Sequence, residues 1–121
     1  MVSLPNIVLI LADDHGYGDV SVHDGPHIQT PHIDRIAEGG VRLTQFYANS
    51  SVCSPSRASL MTGRYPDRVG VPGVIRTHPE NSWGYFSPSA VTLPSLLKQN
   101  EYNTSLIGKW HLGLEAENHP C

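Results

Sequence analysis

The chain is poor in charge. Only 16% of its 121 residues are Asp, Glu, Lys or Arg, against roughly 25% in an average soluble domain. The formal net charge is −3, and a slightly acidic chain with no basic stripe offers no electrostatic footprint for nucleic acid or an anionic membrane surface. Long hydrophobic runs are also missing. The longest, Ile7 to Ala12, has six residues, far short of the roughly 20 that a membrane-spanning helix needs, so no membrane span is expected. Met1-Val2-Ser3-Leu4 has neither the basic n-region nor the long h-region of a secretory signal, and no signal peptide is visible. Cysteine is scarce. Cys53 and the terminal Cys121 cannot build a disulfide framework, and they are expected to stay unpaired with each other. The seven histidines match no short-interval zinc pattern.

Glycine and proline are what the chain has in excess, 11 and 10 of them. The hydrophobic fraction of 39% suffices for a core, which excludes general disorder, and the length allows one domain at most. Low charge with many glycines and prolines points to long ordered loops, where sites tend to lie.

Asn6-Ile7-Val8-Leu9-Ile10-Leu11-Ala12 is apolar on both faces and predicts a strand covered on both sides, as in a parallel sheet. Thr30 as cap and Pro31 as first residue open a helix that Gly39-Gly40 end. Val41 to Tyr47 reads as a second strand. Ser54 as cap, Pro55 as first helical residue and Ser56 to Thr62 as body give a second helix, ended by Gly63. Arg64 to Pro88, with four prolines and three glycines, is a long excursion without periodicity. A third helix begins near Thr92, and Tyr102 to Gly108 is a third strand. Strands alternating with helices imply an α/β fold with a parallel or mixed sheet.

Three sets of residues carry potential chemistry. Asp13 and Asp14 follow the first strand and precede Gly16-Tyr17-Gly18-Asp19; in a turn both carboxylates can converge on a hard divalent cation. Cys53 lies at a helix start, where the dipole favours a thiolate or a docked anion. Arg57, one turn in, supplies a cation for a tetrahedral oxyanion. Lys109 and His111 are two apart at the end of the third predicted strand, a spacing that places them on one face to bind an anion and move a proton. Together these make a metal-assisted site for a tetrahedral anion, phosphate or sulfate.

Two stretches of the sequence resemble the sulfatase family of the alkaline-phosphatase-like superfamily. Ser51-Val52-Cys53-Ser54-Pro55-Ser56-Arg57-Ala58-Ser59-Leu60-Met61-Thr62-Gly63 carries the Cys-x-Pro-x-Arg signature with its trailing Thr-Gly. Tyr102-Asn103-Thr104-Ser105-Leu106-Ile107-Gly108-Lys109-Trp110-His111 is similar to the second signature, with Glu101 where the family usually has Gly. The resemblance implies that residues 1–121 are the N-terminal part of a catalytic domain, an α/β sandwich with a mostly parallel central sheet. It implies a sulfuric ester hydrolase of the arylsulfatase kind, acting on a small-molecule or glycan sulfate ester. A maturation enzyme would oxidise Cys53 to formylglycine. One hydroxyl of its hydrate would attack sulfur, and the other would lose its proton and expel sulfate. Asp13, Asp14 and the modified Cys53 would bind calcium, with magnesium the alternative hard cation. Arg57 would hold the hydrate, Lys109 would contact sulfate, and His111 would hydrogen-bond the hydrate. The family's other metal ligands lie in regions outside this sequence, so these 121 residues alone are expected to be inactive. Family habit favours the periplasm, secretion or lysosomes. Two other functions remain open from the sequence: a phosphonate or phosphodiester hydrolase of the same superfamily, and a non-catalytic binder of sulfated glycans.

Overall fold

Helix punctuation is the clearest link between this sequence and its structure, a computed structural model that describes residues 4–25 and 27–120. Cys121 lies outside the described residues, and with it the expectation about cysteine pairing. The chain divides into two compact units, residues 1–46 and 47–121.

In the first unit, helix α1 spans Pro31–Gly39, starting on the proline and stopping at the glycine pair as the sequence predicts. Its entry is fixed by a polar knot instead of a simple cap. The Thr30 hydroxyl makes no capping bond. It accepts from the Ser21 amide at 3.0 Å and donates to Asp34 Oδ1 at 3.0 Å. Asp34 also accepts from the Ser21 hydroxyl at 2.6 Å and the Val22 amide at 3.0 Å. These donors, the Ser21 hydroxyl foremost, hold the Asp34 carboxyl below its ordinary value, against a smaller upward push from burial. Short 3-10 turns at Tyr17–Asp19 and Ser21–His23 lead into the knot, and the rings of Tyr17 and His23 stack at 4.0 Å.

The second unit is organised around helix α2, Cys53–Thr62. It buries Ser54, Pro55, Ala58 and Ser59, one face at helical spacing. Gly63, at φ +65°, ends it with its amide on the Ser59 carbonyl at 2.8 Å. The core comprises Ala58, Val69, Val71, Ile75, Phe86 and Leu112, flanked by Met61, Ala90 and Trp110. Phe86 meets Trp110 edge-on at 6.0 Å. Beneath them Asn118 is buried, its amide donating to the Phe86 carbonyl and its own carbonyl accepting from Trp110 Nε1, both at 2.7 Å. Helix α3, Leu93–Lys98, carries the reciprocal Thr92–Ser95 capping box.

The excursion from residue 64 to 88 is ordered by backbone pairing. The amides of Trp83, Tyr85 and Ser87 reach the carbonyls of Val74, Gly70 and Val69 at 2.9–3.1 Å. The two arms pass so closely that a Cβ on Gly84, at φ +85°, would lie 2.1 Å from the Gly70 carbonyl oxygen, which only glycine tolerates.

The sequence reading needs two corrections. Among the described residues there is no β-strand. The segments predicted as strands, 6–12, 41–47 and 102–108, remain irregular and exposed: Val8 is 81%, Val41 85% and Ile107 95% exposed. Strand propensity becomes a strand only when a neighbouring ladder takes up the backbone N–H and C=O groups, and no such ladder forms among the described residues. The described residues therefore show no part of the central sheet of the expected sandwich. The second correction is that α2 starts at Cys53 with Val52 as its cap residue, so the Ser54 hydroxyl is not a cap.

Candidate active site

Cys53 is the first residue of α2 and half-buried, where the aligned peptide dipoles favour negative charge. Arg57 follows one turn later, and positions four apart are neighbours on one helix face. Arg57 is half-buried, and its Nη1 donates to the Lys109 carbonyl at 2.7 Å. That bond ties α2 to the segment carrying Lys109 and His111, Lys109 lying 52 positions beyond Arg57.

The segment bends where a strand was predicted. Gly108 has φ +103° and His111 φ +57°, so the two-residue alternation that would have put Lys109 and His111 on one sheet face does not apply. Lys109 is exposed, whereas His111 is half-buried and precedes the fully enclosed Leu112. The backbone returns His111 to the core, where its Nε2 donates to the Ile75 carbonyl at 2.9 Å. Its Nδ1 is buried and makes no hydrogen bond among the described residues.

Asp13 and Asp14 belong to the first unit. Both are exposed in a bend, and Asp14 adopts φ +51°. A bend releases the pair from the opposite-face constraint of a strand, as the sequence reading required. Their donor chemistry fits a calcium or magnesium ion, which takes carboxylate oxygens. The Cys53 sulfur by itself fits such an ion less well, because a thiolate is soft.

The sequence reading missed Ser54 and Ile75. Ser54 Oγ accepts from the Ile75 amide at 3.1 Å, while the Ile75 carbonyl holds His111. A small hydroxyl beside the cysteine was the available signal, and the capping assignment absorbed it. Among the described residues no helix is long and apolar enough to cross a membrane.

Comparison with known proteins places these features in context. The sulfatase family model matches residues 5–121. Human steryl-sulfatase is 48% identical over 119 residues, covering 96% of this chain and 20% of that protein. Bovine arylsulfatase A is 47% identical over 116 residues, covering 95% of this chain and 22% of that protein. The chain thus spans about a fifth of the length of these curated relatives. The crystal structure of Ps i-CgsB in complex with k-i-k-neocarrahexaose is similar at a TM-score of 0.88 and 40% identity, covering 96% of this chain and 25% of that one. Such neighbours imply an alkaline-phosphatase-like fold. By the match of the family model over nearly its whole length, the chain belongs to the sulfatase family.

Proposed function

We propose that these residues form part of the active site of a sulfuric ester hydrolase of the arylsulfatase kind, cleaving a sulfate monoester of a small molecule or glycan. The observation that carries the reading is the placement of Cys53 at the N-terminus of α2, with Arg57 one turn on and anchored to the Lys109 backbone. Human steryl-sulfatase and bovine arylsulfatase A, relatives at 48% and 47% identity, support the same chemistry.

Arg57 supplies a positioned cation one helical turn from residue 53, and Lys109 supplies a flexible, exposed one for the ester's anionic head. The dipole of α2 adds to both. His111, with its Nε2 proton held by Ile75, has Nδ1 to accept a proton from a hydroxyl. Converted to formylglycine, position 53 would supply a hydrated carbonyl with one hydroxyl for attack and a second for release. Asp13, Asp14 and that converted residue would hold a calcium ion, whose charge would polarise a bound sulfate oxygen. A formylglycine-generating maturation enzyme is the implied partner. In the whole enzyme, segments 6–12, 41–47 and 102–108 would be strands of a mostly parallel sheet.

The test compares turnover of aryl sulfate and aryl phosphonate esters by the whole protein, after expression with a competent maturation enzyme. Preferential release of sulfate is expected. Preference for the phosphonate would replace this reading with that of a phosphonate or phosphodiester hydrolase. Binding of sulfated glycan without turnover would make it a non-catalytic binder.

A further inference from the structure

Ser54 is 0% exposed, and its hydroxyl is the first link in a chain of contacts that ends on an imidazole. Ile75 donates its amide to Ser54 Oγ at 3.1 Å and accepts His111 Nε2 on its carbonyl at 2.9 Å. One hydroxyl in the first turn of α2 therefore holds one end of a residue whose other end holds His111. We propose that Ser54 is a positioning residue that acts through Ile75 to set the tautomer and ring orientation of His111.

The argument is one of donors and acceptors. A backbone carbonyl only accepts, so Nε2 carries the hydrogen, and in the neutral ring Nδ1 is then a bare lone pair. That Nδ1 is buried and without a hydrogen-bond partner among the described residues. An unmet buried acceptor costs free energy, so the geometry persists because other contacts impose it. The Ile75 carbonyl fixes the proton on the far nitrogen, and His111 is kept at φ +57° next to the enclosed Leu112. The Ile75 carbonyl is in turn located by the apolar burial of Ile75 in the core and by its amide on Ser54. Loss of the hydroxyl releases the Ile75 amide, frees the backbone on both sides of the Ile75 Cα to shift, and removes the bias toward the Nε2–H tautomer. The effect on turnover rests on the sulfatase reading above; the tautomer does not.

The experiment uses the whole protein labelled with 15N-histidine. In the unsubstituted protein, the His111 resonances are expected to show the proton on Nε2 and a bare Nδ1. Ser54→Ala, checked for folding by its amide spectrum, should shift His111 toward a mixture of tautomers. Ser54→Thr, which keeps Oγ, should retain Nε2–H. With conversion of Cys53 quantified by peptide mass, Ser54→Ala should lower kcat per converted site about tenfold, the scale of one lost hydrogen bond. KM should change by less than about twofold, and Ser54→Thr should recover the rate. A neutral His111 protonated on Nδ1 in the unsubstituted protein overturns the proposal, and that spectrum requires no variant to fold. An unchanged tautomer in folded Ser54→Ala overturns it as well. Absence of sulfate ester turnover in the unsubstituted protein counts against the sulfatase reading, while the spectra still decide the role of Ser54.

Discussion

The guanidinium of Arg57 donates to the backbone carbonyl of Lys109 at 2.7 Å. A residue chosen by the Cys-x-Pro-x-Arg pattern is thereby anchored to the segment that carries Lys109 and His111, 52 positions away in the chain. Arg57 is thus a clamp between α2 and this segment, and under the proposed function it has a second task as a cation for an oxyanion.

Both tasks depend on the planar fork, so Arg57→Lys is not conservative. Its kcat/KM on an aryl sulfate should fall about 10²-fold, the cost of one preorganised oxyanion donor. The unfolding midpoint in urea should move little, because the bond is largely exposed. Activity close to that of the unsubstituted protein would remove Arg57 from the site.

Leu112 follows His111 directly and is 0% exposed in the core of the second unit. Leu112→Ala should cost about 3 kcal/mol by transfer and cavity terms, read as a lower denaturant midpoint with an unchanged slope. A loss below about 1 kcal/mol would mean that the site's packing collapses easily around this position.

Asp34 gives a pH dependence of known sign. Its folded carboxyl is held below 3.8 by the Ser21 hydroxyl and its other donors. Its stabilising contribution is therefore present above the unfolded value and lost as pH falls below 3.8 through the folded value. Thermal unfolding followed from about pH 6 to about pH 3 should show this decline, and Asp34→Asn should flatten that part of it. An identical decline in the variant would assign the acid sensitivity to other carboxylates.

Asp13 and Asp14 should each matter for cation binding. In the whole protein, Asp13→Asn or Asp14→Asn keeps an oxygen donor but loses a charge. Calorimetric titration should show calcium affinity reduced about tenfold or more in each. Unchanged affinity in both would exclude the pair as ligands.

The sequence shows the helices far better than the sheet, and the reason is physical. Pro31 with Gly39-Gly40, the Thr92–Ser95 box and Gly63 act within a few residues of themselves, so their meaning is local. Strand formation is not local, and runs such as Ile7 to Ala12 have no ladder among the described residues. Cys53 and Arg57 are legible because helical spacing relates them, and the structure keeps that spacing. Only strand alternation groups Lys109 with His111 in the sequence, and the positive φ values at Gly108 and His111 remove it. What links His111 to α2 instead is the backbone of Ile75 and the hydroxyl of Ser54, a contact between distant segments that no spacing rule contains.

The central claim is that position 53 becomes an oxygen-bearing carbonyl. Its most direct test is the mass of the proteolytic peptide spanning Cys53, taken from the whole protein after expression with a formylglycine-generating enzyme. The aldehyde is expected at residue 53, with Arg57 intact in the same peptide. A peptide that retains the thiol throughout, in protein that nonetheless releases sulfate, would contradict it.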